Sequence, residues 1–290
     1  MAGSTFRLVH LSDLHLTPGD NDPRSEPRLF GKLRGMNAAF RRLVSAQDVQ
    51  CADALLITGD ITDRGDLATW RHFWETLDNA ALRERTIVIP GNHDVCCLGL
   101  RAAAPSRIRS SWQRMEHGLR LGDQPTRFPW ARSLHEGRAV LLALDSCNAR
   151  NSSFLTNAIG AIGYFQLEAF ARLLRRHNGT PIKIVALHHS PNIPKPETER
   201  KRGMSPMSSL DRLTLQVPEE ERRALRLLCI ASGVRLVVHG HLHRAEDRRV
   251  SGVRIVGSVA STEPDRDGRL HYLCYELRAD RRVLVRSGTA

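Results

Sequence analysis

Five short polar clusters, each directly after a run of aliphatic and β-branched residues, constrain this 290-residue chain more than any other feature. They are Asp13-Leu14-His15, Gly59-Asp60-Ile61-Thr62-Asp63-Arg64-Gly65, Gly91-Asn92-His93-Asp94, His188-His189-Ser190-Pro191 and His239-Gly240-His241-Leu242-His243. The runs before them are FRLVHL (6 to 11), ADALLI (52 to 57), TIVI (86 to 89), IKIVAL (182 to 187) and RLVV (235 to 238). Their length and lack of strict alternation suit strands buried on both faces. Side chains at the C-terminal ends of such strands meet in one shared crevice. A single DxH or HxH triplet occurs by chance, but five clusters in order, all rich in Asp, Asn and His, are a set of hard and borderline metal ligands.

Further strand-like runs stand at 139 to 144, 253 to 256, 270 to 277 and 282 to 285. Segments with helical spacing lie between several of the runs, at 36 to 46, 67 to 82, 164 to 176 and 218 to 230. The last is opened by Pro218 with three glutamates in its first turn. Strands alternating with helices predict an α/β domain, and the three closing strand-like runs predict a mixed sheet. The stretches 95 to 137 and 190 to 217 interrupt this pattern. Because the motifs around them belong to one site, residues 1 to 290 read as one domain with both stretches inserted over that site as a cap. No internal repeat is present.

In an extended segment residues i and i+2 project to the same side, so Asp13 with His15, and His241 with His243, are expected to converge while the residue between enters the core. Gly59 permits a tight turn that brings Asp60 close to the ions, where its two oxygens can bridge them. Asn92 adds a carbonyl ligand without adding negative charge.

The order D-x-H, GD-x-x-D-[RG], GNHD, an H-x-P-type histidine and GH-x-H is similar to the calcineurin-like metallophosphoesterase superfamily, across residues 13 to 243. That resemblance implies a four-layer αββα sandwich with two mixed β-sheets and a dinuclear centre of Mn, Fe or Zn. It assigns the first ion to Asp13, His15, Asp60 and His243, and the second to Asp60, Asn92, His189 and His241. The family's ligand usually stands two residues before a proline, which selects His189 and leaves His188 beside the substrate with Asn92. His93 takes the position that stabilises developing charge or protonates the leaving oxygen, with Asp94 holding its ring by hydrogen bond and Asp63 as a second orienter or a loop cap. Arg64 resembles a phosphate-binding arginine and equally suits a structural ion pair. His239 reads as the last residue of a buried strand.

Two ions would lower the pKa of a bridging water, so direct hydroxide attack is expected, without a phosphoenzyme. Neither GxSxG nor a phosphate-binding GxxxxGK[ST] loop is present. The layout, with Gly163-Tyr164-Phe165-Gln166-Leu167 opening a helix before HHSP, resembles the bacterial class III cyclic-nucleotide phosphodiesterases. The expected substrate is a small phosphodiester or cyclic nucleotide. A phosphomonoesterase or protein phosphatase, or a nuclease, would use the same centre, and a non-catalytic scaffold would be expected to have lost ligands.

The net charge of +12 favours an anionic substrate and leaves nucleic acid open, but only four of the 43 basic residues are lysine, an arginine bias that genomic base composition also produces. No separate DNA-binding module is visible. Six cysteines form no CxxC pair, which argues against a zinc ribbon, and adjacent Cys96 and Cys97 follow the GNHD motif. No run approaches the roughly 18 to 20 apolar residues of a membrane span, and the start lacks a secretory leader, so the expected compartment is the cytoplasm.

Overall fold

In the computed structural model, which describes residues 5–24, 33–95, 105–147, 158–201, 203–209, 212 and 215–290, the apolar runs pair into two mixed sheets. The first sheet has β1 (Phe6–Leu11), β2 (Ala54–Thr58) and β3 (Thr86–Ile89) parallel, with β10 (His271–Leu277) antiparallel to β1 and β11 (Val283–Thr289) antiparallel to β10 at the edge. The second runs β4-β5-β6-β7-β9-β8. Here β5 (Ala139–Ala143), β6 (Ile182–Ala186), β7 (Leu236–His239) and β9 (Val253–Gly257) are parallel. Strands β4 (Trp130–Leu134) and β8 (Glu246–Val250) close its two edges antiparallel.

Strand alternation sorts the apolar side chains into three layers of contact. Leu8, Leu56, Ile87 and Ile89 of the first sheet meet Leu141, Ile184, Leu236 and Val238 of the second, so the sheets pack face to face. The alternate residues Val9, Leu11, Leu55, Ile57 and Val88 face outward onto helix α1 (Met36–Ser45), which α2 (Gln47–Gln50) follows, and onto α3 (Leu67–Asn79), through Phe40, Leu43, Trp70, Phe73 and Trp74. On the far side Val140, Leu142, Val185 and Val237 carry α5 (Tyr164–Arg176) and α7 (Glu219–Ala231), through Phe170, Leu174, Leu225 and Cys229. The result is a four-layer αββα sandwich. Asp66 caps α3 by accepting the Thr69 N–H at 2.8 Å, and Glu221, in the first turn of α7, accepts the Ile162 N–H at 2.6 Å and ties that turn to the start of α5.

The described part of 95 to 137 contributes to the scaffold. Helix α4 (Pro105–Arg120) lies on α3, where Gly118 lets the Trp70 ring approach so closely that a Cβ would come within 2.3 Å of it, and Trp74 Nε1 donates to the Gly118 carbonyl at 2.8 Å. Met115 and Leu119 join the core beneath, and β4 extends the second sheet. Cys96 and Cys97 lie outside the described residues. By contrast 190 to 217, with α6 (Pro196–Lys201), packs Ile193 and Met207 onto Leu242, within the GHLH loop. Among the described residues no helix is long and apolar enough to cross a membrane.

Candidate metal centre

Strands β1, β2, β3, β6 and β7 all end at the same rim, and each is followed by one polar cluster. Five of the site residues have left-handed backbone: Asp13 (φ 53°), His15 (45°), Asp60 (51°), His241 (69°) and His243 (49°). That region is uncommon outside glycine and collects at functional sites. The expected i, i+2 alternation of an extended segment is therefore corrected. Strand β1 stops at Leu11, and left-handed turns aim Asp13 and His15 inward while Leu14, as expected, enters the core. The turns are tied to each other: Asp13 N–H donates to Gly59 O (3.1 Å), His15 N–H to Asp60 O (2.8 Å) and Asp63 N–H to Leu16 O (2.9 Å). The His241 N–H lies 3.0 Å from both Asp13 carboxylate oxygens, and the His93 N–H donates to Asp60 Oδ1 at 2.8 Å. Gly59 (φ 91°) is obligatory, since a Cβ there would stand 2.5 Å from His188 Nδ1 and 2.8 Å from the Gly91 backbone.

The side chains gather into overlapping groups: Asp13, His15 and His243; His15, Asp60 and His93; and Asp60, His188 and His241. His15 Nε2 is 3.3 Å from His243 Nε2 and 3.8 Å from Asp60 Oδ2, and His243 Nε2 is 3.4 Å from Asp13 Oδ1. His188 Nε2 is 3.3 Å from Asp60 Oδ2 and 3.1 Å from Asn92 Oδ1. Donors held about 2.1 Å from a tetrahedral ion lie about 3.4 Å apart. These spacings are of that size, and His241 Nε2 is buried with no hydrogen-bond partner, as a ring nitrogen reserved for an ion would be. The donor set therefore fits two ions sharing Asp60.

The electrostatics agree. Burial works against an ionised Asp60, but the charges of His188, His93 and His15 outweigh it and hold the carboxyl well below its usual range. Burial likewise opposes a charged His188, and Asp60 overrides it, raising the imidazole to about 9. His243 reaches about 9 against burial through Asp13 and Glu263. The His188 and His243 rings therefore stand where the Asp60 and Asp13 carboxylates favour positive charge, which is the charge an ion would supply.

The two adjacent histidines are held by different partners. His188, not His189, faces Asp60 and Asn92. The Thr58 carbonyl, 2.7 Å from His188 Nδ1, can only accept, so it fixes the proton on Nδ1 and turns Nε2 into the site. His189 instead places Nδ1 2.9 Å from Ser146 Oγ. Its own Nε2 is buried without a partner and its ring lies 4.3 Å from that of His241, yet it joins none of the three groups.

His93 lies edge-on to His15, ring centroids 4.6 Å apart. Its Nδ1 donates to the Asp63 backbone carbonyl at 2.9 Å, with the Asp63 carboxylate at 4.0 Å. The expectation that Asp94 holds this ring is corrected. Its carboxylate takes the backbone N–H groups of Thr62 (2.8 Å), Gly91 (2.9 Å) and Ile61 (3.2 Å) and so staples the GNHD turn to the Asp60 loop. Burial, with the Asp60 charge adding, pushes it up to about 6 against those donors. Arg64 is exposed and pairs with Asp63 at 3.4 Å. His239 Nε2 meets Glu246 at 3.1 Å inside the sheet. Two residues that no motif signals also reach the site. Glu263 lies 3.2 Å from His243 Nδ1, and Arg24 Nη2 lies 2.8 Å from His15 Nε2.

Two sheets that deliver Asp, Asn and His from their strand ends to one buried cluster make the framework of a metal-dependent hydrolase. Residues 6–245 match the pattern of the calcineurin-like phosphoesterases, and the chain belongs to that family. Over 84 residues it is 38% identical to a symmetrical bis(5'-nucleosyl)-tetraphosphatase of Burkholderia mallei (strain SAVP1) and 37% identical to that of Burkholderia pseudomallei (strain 668). Each match spans 28% of this chain and only 28% of the relative. Among solved structures, a dimetal phosphatase from Danio rerio aligns over 98% of both chains with a TM-score of 0.65 at 14% identity. A phosphopantetheinyl hydrolase from Mycobacterium tuberculosis aligns over 90% of this chain and 92% of its own, with a TM-score of 0.52 at 14% identity. At such identities the likeness is one of fold.

Proposed function

We propose that the protein is a phosphodiesterase acting on small phosphodiesters or cyclic nucleotides. One ion would be held by Asp13, His15, Asp60 and His243, and the other by Asp60, Asn92, His188 and His241. The observation that carries this reading is the Asp60 carboxylate, which stands in the group with His15 and in the group with His188 and His241. Bound ions would supply Lewis acidity and a water acidified toward neutrality. The chain supplies the rest. The His93 N–H fixes the Asp60 carboxylate, and the Thr58 carbonyl fixes the His188 tautomer. Because His93 Nδ1–H is committed to the Asp63 carbonyl, the proton it would give to a leaving oxygen is the one on Nε2. The described part of 190 to 217, which packs Ile193 and Met207 onto Leu242, would serve as a rim that selects substrates.

A diester substrate is supported by the layout that resembles the class III phosphodiesterases, and the name of the tetraphosphatase relatives adds only that a phosphate-linked nucleotide suits this kind of centre. The test is a panel on chelator-stripped protein reloaded with Mn²⁺, Zn²⁺ or Fe²⁺: bis-nitrophenyl phosphate, nitrophenyl phosphate, cyclic AMP, a dinucleoside tetraphosphate and single-stranded DNA. The expected order puts a small diester at least about tenfold above the monoester in kcat/KM. A monoester preference, or cleavage confined to DNA, overturns the reading in favour of a phosphomonoesterase or a nuclease.

A further inference from the structure

Arg24 is only 2% exposed, and burying a cation costs several kcal/mol unless it is paired. Its Nη1 pairs with Glu263 Oε1, and Glu263 is in turn shared with His243 Nδ1 at 3.2 Å. That carboxylate is held in place by its own segment, where Ser261 N–H donates to Ser12 O at 2.9 Å and Thr262 Oγ1 to Leu14 O at 2.7 Å. The other end of the guanidinium points into the centre, with Nη2 2.8 Å from the His15 ring nitrogen that faces Asp60 and His243. With ions bound, a permanently charged guanidinium beside them is repelled, and an anion lying between is what relieves that repulsion. An ion on His15 Nε2 would displace the Nη2 contact and leave the Glu263 pair in place.

We propose that Arg24 binds a non-bridging oxygen of the substrate phosphoryl group. The inference rests on the phosphoesterase reading and names a recognition residue that lies outside every motif of the chain. Phosphate and guanidinium are geometrically matched through paired N–H···O bonds, so lysine replaces arginine only in part.

The experiment measures binding of inorganic phosphate by calorimetry to Mn²⁺-loaded wild type, Arg24→Gln and Arg24→Lys, with bound metal and Tm recorded for each. Arg24→Gln is expected to keep the wild-type metal content and to bind phosphate about 10- to 100-fold more weakly. Arg24→Lys should fall between the two. Unchanged phosphate binding in Arg24→Gln overturns the proposal, and so does metal loss that accounts for the whole effect. If Arg24→Gln does not fold, Arg24→Lys decides, and phosphate affinity equal to wild type refutes the contact. Turnover of a diester tests the assigned activity, whereas phosphate binding tests Arg24, so either can fail alone.

Discussion

The two halves of the centre are built by different means. Asp13 with His15, and His241 with His243, each arrive as two ligands from one loop, and every one of those residues has left-handed backbone, although His241 itself stands with Asp60 and His188. On the side of Asn92 and His188, each loop delivers one, and neither residue is left-handed. A loop that must turn two side chains inward within three residues cannot stay extended, because a left-handed residue is what redirects the chain. Each such residue costs on the order of 1 to 3 kcal/mol and persists only when its surroundings over-determine it. The surroundings here are the cross-ties from the Gly59 and Asp60 carbonyls to the Asp13 loop and from the His241 N–H to Asp13. The single-ligand side needs no strain and relies on one directed hydrogen bond, from His188 to the Thr58 carbonyl.

Asp60 belongs to both halves, so its removal should give the largest effect. Asp60→Ala is expected to lose both metals and to lower kcat by on the order of 10³-fold or more, several kcal/mol of stabilisation. His15→Ala should chiefly deplete one ion. Metal counting by mass spectrometry on dialysed protein checks both, and an Asp60→Ala variant that retains two ions per chain would refute the bridging role.

A smaller effect separates His188 from His189. Both are fully buried and adjacent, yet only His188 approaches Asp60. His188→Ala should lose one ion and most activity. His189→Ala should keep two ions and lose at most about 10- to 100-fold, the usual range for a residue that acts from behind the ligands. Equal metal loss in both variants would place His189 among the ligands and erase the distinction.

That pair also shows where reading from sequence stops. The positions of all five clusters were legible, because each follows a β-branched run and the runs became the parallel strands of the two sheets. The sandwich and its mixed sheets followed from the family pattern. What orients His188 and His189 is the Thr58 carbonyl, 130 positions away, and the Ser146 hydroxyl, 43 positions away, and no local spacing encodes either. The same holds for Asp94, which is adjacent to His93 in sequence but spends its carboxylate on Ile61, Thr62 and Gly91. Strands β4 and β8 escaped notice because WARSL and EDRRV are half-exposed edges whose outward positions are polar. Helix α4 escaped because its core contribution is spread over an arginine-rich stretch.

Thr58 ties the unstrained half of the centre to the layer between the sheets, and the smallest expected effect tests that tie. His10 lies beneath the metal-facing residues with Nε2 2.7 Å from Thr58 Oγ1 and Nδ1 3.0 Å from the Tyr275 hydroxyl. Burial, with the charge of His239 assisting, lowers it from 6.5 to about 3. The folded chain therefore keeps His10 neutral while the unfolded chain protonates it below about 6.5. Above that pH neither state takes up the proton and His10 adds no slope. Between about 6.5 and about 3 the unfolded state gains stability by up to about 1.4 kcal/mol per pH unit, so folding stability falls as the solution is acidified. His10→Gln, which keeps polar contacts but cannot titrate, should flatten that fall by up to one proton. Urea unfolding of chelator-stripped protein at pH 7, 6 and 5 reads the difference. The metal-site histidines are present in both proteins and cancel in the comparison. If wild type and His10→Gln lose stability in parallel, His10 is not the buried neutral strut under Thr58, and the orientation of His188 must depend on something other than a rigid Thr58.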